Sequence, residues 1–240
     1  MSALHQPVGT ITQRRWFNAT LVSVLLGALV GCGGGDDTTP VMGVAANGSS
    51  TFSASALAAQ LATYPLAALS VTESDGLLFM REEEQLAHDV YAVSATLWPS
   101  LPIFTNISAS EATHSAALKA LLDRYQLVDP LAGLPEGSFH TPAFQTLYDT
   151  LVAASRVSLI EALKVGVEIE ELDIRDITAL RLSVDNADIL MVYDNLLKGS
   201  RNHLRAYMTL LIQQSGTYVP QYISQDDFDA IVNSAIESGR

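Results

Sequence analysis

Four stretches of this 240-residue sequence carry apolar residues at the three- and four-residue spacing that is typical of an α-helix. The first runs from Glu73 to near Trp98, and the second begins at Ser108 or Ser110 and stops before Pro130. The third follows a capping box at Ser158, and the fourth follows a break at residues 183–186 and ends at Gly216 and Pro220. No strand-like alternation exceeds four residues, so the sequence predicts an all-α fold.

The spacing of the four helices predicts their topology. A segment of about thirty residues separates the second helix from the third, and it contains a loop at 127–141 and a short helical pattern at 142–154. Two helical hairpins joined by one long crossover define the ferritin-like four-helix bundle. A short C-terminal helix is predicted from Ser224 to about Ser234. We therefore expect the folded domain to span residues 73–240.

The first residues of the chain have the features of a lipoprotein signal peptide. Arg14 and Arg15 precede an uncharged run at 16–30, which is shorter than the roughly 20 residues that a membrane-spanning helix needs. Residues 29–32 read Leu-Val-Gly-Cys, which resembles a bacterial lipobox and would make Cys32 the lipidated residue. The alternative is a buried helix with an incidental cysteine.

The lipobox predicts how the rest of the N-terminal region is organised. Residues 1–31 would be a signal peptide, 32–55 a flexible tether rich in Gly, Ser, Thr and Asp, and 56–72 a short helical lead-in. Gly33 stands where an aspartate would retain a lipoprotein at the inner membrane. We therefore expect an exported, membrane-anchored lipoprotein of the cell envelope, on the periplasmic or outer-membrane side.

Composition restricts the partners of this chain. It has 13 Lys and Arg against 26 Asp and Glu, a formal net charge of −13, so it lacks the basic surface that nucleic acid requires. Cys32 is its single cysteine, which excludes a disulfide framework and a cysteine-based zinc or iron–sulfur site. Any bound metal must therefore be held by carboxylates and histidines.

Each of the four helical stripes is interrupted near its middle by titratable residues. Burying an unpaired carboxylate costs several kcal/mol, so four such interruptions imply a shared cation. A pair of divalent ions would satisfy all of them, and residues at i and i+3 can address one ion. The predicted metal ligands are Glu84, Glu111, His114, Glu170, Asp173 and His203.

Individually these residues have other interpretations. Glu84 ends a charged run at 81–84 that is typical of a solvated face, and Glu111 could belong to a capping box with Ser108. A rotation of about 100° would exchange Glu170 for Glu171 as the inward residue. A single histidine such as His203 is often a hydrogen-bonded core residue. The coincidence on four stripes favours the metal site.

The chain also resembles the ferritin-like superfamily, through the segment from Glu84 to Tyr91, the Glu111-x-x-His114 motif and residues 200–207. More closely, it resembles a prokaryotic branch of that superfamily, domain of unknown function 2202, in segments 81–84, 101–104, 169–174, 195–203 and 220–224. This resemblance implies a ferritin-like fold and a metal site, but no particular reaction. One difference is Ser200, which stands where the superfamily has a fourth-helix glutamate; Asp173 could supply the missing carboxylate.

These observations predict a lipid-anchored protein with a dinuclear carboxylate–histidine site. Two iron ions are the expected cofactor, with manganese as an alternative, because carboxylates and imidazoles suit both metals. The expected chemistry is that of a ferroxidase or a peroxide-reducing oxidoreductase. A metal-binding protein without turnover and a metal-free structural or interaction bundle remain alternatives, and self-association into a homodimer is left open.

Overall fold

The structure is a computed structural model that describes residues 39–238. The predicted signal peptide, Cys32 and the beginning of the predicted tether lie outside the described residues. Within them, four long helices form the bundle: α2 (Val71–Leu97), α3 (Ile103–Arg124), α5 (Leu159–Arg181) and α6 (Ala187–Gln213). Three shorter helices accompany them: α1 (Ala54–Leu61), α4 (Pro142–Ser155) and α7 (Gln225–Val232).

The predicted all-α bundle is confirmed. α2 packs along α3, α5 packs along α6, and the crossover between the two hairpins contains α4. The core consists of apolar side chains from the facing stripes of the long helices, and its largest fully buried members include Tyr91, Phe104, Tyr193 and Tyr207. The crossover and the short C-terminal helix also lie where the sequence predicts them.

Two of the long helices begin earlier than the sequence predicts. α2 begins at Val71, two residues before the predicted start at Glu73, because Ser70 and Glu73 form a capping box. α3 begins at Ile103, directly after Pro102, so Ser108 lies inside the helix and Glu111 is not a capping residue. The predicted hydroxyl cap at Ser158 is present and accepts a hydrogen bond from the backbone N–H of Glu161, but the Glu161 carboxylate pairs with Lys164 and does not complete the predicted capping box.

The N-terminal region is more ordered than the sequence predicts. Strands β1 (Met42–Val44) and β2 (Ser50–Phe52) pair antiparallel within the predicted flexible tether, and α1 follows at once and ends before the predicted lead-in does. Met42 and Phe52 are buried. The hairpin is stabilised by packing on the helices, which a reading of local composition cannot detect.

Buried carboxylates of α2 attach the crossover to the bundle. Glu82 accepts hydrogen bonds from the backbone N–H and the hydroxyl of Thr141, the residue that precedes α4. Asp89 accepts one from the backbone N–H of Gly137. Among residues 39–238, no helix is both long enough and apolar enough to span a membrane.

Candidate metal centre

The four long helices bring five of the six predicted ligands together in the middle of the bundle. Each of the five side chains is 0 % exposed. α2 contributes one, α3 two, α5 one and α6 one, in the order Glu84, Glu111, His114, Glu170 and His203. Potential ligand atoms form two groups, and within each group they lie within 4.8 Å of one another.

The first group contains Glu84, Glu111 and His114. The Nδ1 atom of His114 lies 2.7 Å from Glu111 Oε2 and 3.2 Å from Glu84 Oε2. Glu111 and His114 are three residues apart on α3, so they share one face of that helix. This group therefore places one imidazole nitrogen and two carboxylates around a single point.

The second group contains Glu111, Glu170 and His203. The Nδ1 atom of His203 lies 2.7 Å from Glu111 Oε1 and 3.4 Å from Glu170 Oε2. Glu111 thus belongs to both groups and presents a different oxygen to each. The two imidazole rings stack nearly parallel, with centroids 5.4 Å apart.

Several of these short contacts lack hydrogen-bond geometry. Both oxygens of Glu111, Glu84 Oε1, Glu170 Oε2 and His203 Nδ1 are buried and have no hydrogen-bond partner among the described residues. Buried polar atoms in proteins are normally satisfied, so a cluster of unsatisfied ones calls for a ligand. Oxygen and nitrogen atoms that converge without bonding one another fit a divalent cation.

The sixth predicted ligand, Asp173, is also fully buried, and both of its oxygens lack a hydrogen-bond partner in the described part of the chain. It does not belong to either three-residue group. Its carboxylate lies close enough to Glu84, Glu170 and Glu111 for their charges to raise its pKa further, after burial. With Asp173 included, four carboxylates balance the charge of two divalent ions, and both imidazoles are then neutral.

The electrostatics of the centre favour retained protons when no metal is bound. Burial raises the pKa of Glu84 and of Glu170. Burial also lowers the histidine pKa values, but Glu111 together with Glu84 or Glu170 outweighs it and raises the pKa of both His114 and His203. Burial opposes the ionisation of Glu111, but the positive charges of His114 and His203 outweigh this effect and lower its pKa below the usual range.

Two tyrosines lie against the second group. The Tyr91 hydroxyl donates a hydrogen bond to Glu170 Oε1 at 2.7 Å, which orients that carboxylate. Tyr207 packs against Tyr91 with ring centroids 5.1 Å apart, and its hydroxyl has no partner among the described residues. A Cβ at Gly166 would lie 2.5 Å from the Tyr207 ring, so only glycine lets α5 approach this closely.

The charged run at 81–84 is not a solvated face. Its three glutamates are all buried, and each has a different environment. Glu82 accepts a hydrogen bond from the backbone N–H of Thr141 in the crossover, and the Glu83 carboxylate lies next to that of Asp176. Glu84 belongs to the first group of the centre. Burial and the neighbouring carboxylate of Asp176 raise the pKa of Glu83 well above its usual range.

The structure separates Glu170 from Glu171. Glu171 Oε1 accepts hydrogen bonds from the backbone N–H groups of residues 221–223, and its Oε2 accepts one from the Tyr218 hydroxyl. Glu171 therefore holds the segment that leads to α7, whereas Glu170 belongs to the centre. The alternative that the sequence left open is decided by the phase of α5.

Other polar residues lie away from the centre. The Ser200 hydroxyl donates to the carbonyl of Leu196 on its own helix, so it does not replace a glutamate ligand. His88 hydrogen-bonds to Ser108, and His140 is exposed in the crossover. Ser50, which the sequence did not indicate, also lies at the centre, with its hydroxyl 2.7 Å from Nε2 of His114. No local signal marked it, since it occurs in a stretch with the composition of a linker.

The fold and the buried residues define a class of protein: a helical bundle whose core holds two carboxylate–histidine groups suited to divalent metal. The chain belongs to the family described as uncharacterized protein domain DUF2202, whose model matches residues 73–235. It is 44 % identical over 179 residues to the uncharacterized protein MJ0754 of Methanocaldococcus jannaschii, covering 75 % of this chain and 96 % of that one. The crystal structure of hypothetical protein MJ0754 is similar to it with a TM-score of 0.70 and 45 % identity, over 72 % of this chain and 98 % of that chain.

Proposed function

We propose that this protein holds two iron ions between its four long helices and uses them to reduce hydrogen peroxide or dioxygen. The observation that carries the proposal is the pair of buried groups that share Glu111. Glu84 and His114 would hold one ion, Glu170 and His203 the other, and Glu111 would contact both. Asp173 would supply the fourth carboxylate and complete the charge balance.

Two ions fit the site better than one. A single divalent ion would balance two carboxylates and leave the negative charge of the others buried without compensation, which costs several kcal/mol for each charge. Neither oxygen of Glu111 has a hydrogen-bond partner among the described residues, so each oxygen would be available to a different ion. The same donor set also suits manganese, so the metal itself must be measured.

Complete burial favours a resident cofactor over iron in transit. All five clustered side chains are 0 % exposed, so a small molecule such as hydrogen peroxide is a better match to the site than a large substrate. When bound, a pair of ferrous ions supplies the two electrons that convert one hydrogen peroxide and two protons into two waters.

The reductant must come from another molecule. Cys32 is the only cysteine in the sequence, so the chain offers no cysteine cluster for the delivery of electrons. We further propose that the protein acts in the cell envelope, attached by lipid at Cys32. This part of the proposal is supported by the sequence, through the basic residues and uncharged run at 14–30 and the lipobox-like residues 29–32.

The decisive experiment is an anaerobic titration of the full chain with ferrous iron, followed by addition of a measured amount of hydrogen peroxide. We expect two ions per chain and, with a chemical reductant present, repeated consumption of peroxide. The double variant Glu111→Ala/His114→Ala should bind no stoichiometric iron. Glu136→Ala/His140→Ala removes the same residue types from exposed positions and should behave like the parent.

Each outcome separates the alternatives. A parent protein that binds neither iron nor manganese would support a metal-free bundle and contradict the proposal. Two bound ions without peroxide or dioxygen consumption would indicate a binding protein without turnover. A double variant that binds as much iron as the parent would place the metal elsewhere.

A further inference from the structure

A single hydroxyl connects the two imidazoles of the centre from outside the bundle. Ser50 Oγ lies 2.7 Å from Nε2 of His114 and 3.2 Å from Nε2 of His203. The side chain is 1 % exposed, so water cannot take its place without a rearrangement. Both contacts are made on the ring nitrogen that points away from the carboxylates.

The hairpin that carries Ser50 is attached to α3 by two backbone hydrogen bonds. The backbone N–H of Ser50 donates to Ser110 Oγ at 3.0 Å, and that of Phe52 donates to Thr113 Oγ1 at 3.1 Å. The Phe52 ring meets the His114 ring edge-on, with centroids 5.6 Å apart. These contacts hold the Ser50 hydroxyl at one position relative to α3.

Two glycines allow the close approach. Gly48, in the turn of the hairpin, has a φ of +87°, and a Cβ there would lie 3.0 Å from the Asn202 carbonyl oxygen of α6. A Cβ at Gly199 would lie 2.6 Å from His114 Cε1 and 3.1 Å from Ser50 Oγ. Side chains at either position would push the hairpin or the histidine away.

The contact selects one form of each imidazole. A neutral imidazole carries one proton, and the nitrogen without it is the only one that can bind a metal. A hydroxyl oxygen that accepts from Nε2–H on both rings leaves both Nδ1 lone pairs facing the carboxylates. Partners of this kind commonly orient metal-binding histidines in proteins.

We infer that Ser50 is a positioning residue for the metal centre, the shared hydrogen-bond acceptor that holds His114 and His203 in their metal-binding form. This inference rests on the proposed function. It assigns a role to the segment N-terminal to the family domain, because Ser50 lies outside the matched residues 73–235. The hairpin therefore completes the centre from a part of the chain that the helices do not include.

Loss of the hydroxyl should weaken metal binding more than folding. Without an acceptor at Nε2, the neutral imidazole favours the tautomer with its proton on Nδ1, where it can donate to Glu111. A protonated Nδ1 cannot bind a metal ion. Metal binding would then force a buried Nε2–H to remain without a partner at both histidines. Removal of such supporting partners typically lowers metal affinity by about 10- to 100-fold.

The test compares Ser50→Ala with Ser49→Ala in the full chain. Ser49 is its neighbour in the hairpin, and its hydroxyl donates to Asn47 of the same turn, so it controls for general effects on this segment. Anaerobic titration with ferrous iron measures affinity, and proton NMR of the zinc-loaded protein measures the Nε2–H resonances. We expect Ser50→Ala to lower iron affinity at least tenfold and to shift both resonances upfield, with Ser49→Ala unchanged.

The comparison with Ser49→Ala distinguishes a positioning role from a structural one, because that variant changes the same hairpin but keeps the Ser50 hydroxyl beside both imidazoles. In the zinc-loaded parent, both protons should also exchange slowly with solvent. Parent-like iron affinity in Ser50→Ala, or a shift confined to one histidine, would overturn the inference and leave the proposed function intact. A parent that binds neither metal would overturn both.

Discussion

Glu170 and Glu171 are neighbours in α5, yet their carboxylates lie in different environments. Glu170 Oε2 is 3.4 Å from His203 Nδ1 and has no hydrogen-bond partner among the described residues. Glu171 accepts four hydrogen bonds from the segment at 218–223. Both side chains are fully buried. One belongs to the centre and the other to the framework, which makes them a matched pair for mutagenesis.

Glutamine at each position should separate metal binding from stability. Glu170→Gln should weaken binding of one iron ion while the metal-free protein unfolds at nearly the same temperature. Glu171→Gln removes a charged acceptor from three backbone N–H groups and should destabilise the fold by about 2 kcal/mol or more. Calorimetry and iron titration measure the two effects. Equal effects of the two substitutions on metal affinity would contradict the assignment.

Asp173→Asn should lower metal affinity without loss of stability in the metal-free protein. Both oxygens of Asp173 are buried without a partner, and burial together with nearby carboxylates raises its pKa. Removal of this charge should leave the free energy of unfolding unchanged or raise it by about 1 kcal/mol. Chemical denaturation without metal, followed by iron titration, tests both statements. A destabilised metal-free variant would mean that Asp173 has a structural role.

Metal loading should release protons. Burial raises the pKa of Glu84 and Glu170, and Glu111 raises that of both histidines, so the metal-free centre retains protons that ions must displace. Apparent affinity should therefore fall as the pH is lowered. Calorimetric titrations in buffers with different ionisation enthalpies count the protons directly. We expect the apparent affinity to change by about tenfold or more between pH 6 and pH 8. An affinity that is independent of pH over this range would contradict this description.

Glu73 should stabilise the fold only when it is ionised. Burial opposes ionisation, but hydrogen bonds from the backbone N–H groups of Ser70, Asn186 and Asp185 and from the Ser70 hydroxyl lower its pKa from 4.5 to about 2. A lowered carboxylate pKa adds stability above the unfolded value, and this stability is lost as the pH falls toward the folded value. Glu73→Gln should therefore cost about 3 kcal/mol at pH 7.

The difference between Glu73→Gln and the parent should shrink as the pH falls from about 4.5 to about 2. Urea denaturation at several pH values measures it. Asp75→Asn, in the same turn of α2, is the control, since no hydrogen bond joins its side chain to another element in the described part of the chain. A constant difference across that range would show that the charge of Glu73 is not the cause.

Cys32→Ser should prevent attachment to the membrane. The lipobox interpretation makes Cys32 the site of lipidation, so the variant should move to the aqueous phase in a detergent phase separation. Ser23→Ala, within the same apolar run, should leave the parent behaviour unchanged. If Cys32→Ser still partitions with detergent, the lipobox interpretation is wrong.

Much of the centre could be predicted because helical period alone places residues on a face. Glu111 and His114 share one face of α3 because they are three residues apart. The phase of the apolar residues on the other long helices predicted which of their titratable residues face inward. The burial of Glu84 could not be predicted from its own segment, because a charged run is typical of a solvated face and only the packing of α2 against the crossover and α5 buries it. Ser50 could not be predicted at all, since its partners are 64 and 153 residues away in sequence.

The sequence by itself determined the all-α class, the crossover and most of the carboxylates and histidines of the centre, because these depend on periodicities within single helices. Only the tertiary structure decided between Glu170 and Glu171, left Ser200 bonded to its own helix, and placed Ser50 against both imidazoles. These choices depend on how helices rotate and approach one another. Such rotations are set by contacts between distant segments, which no local pattern records.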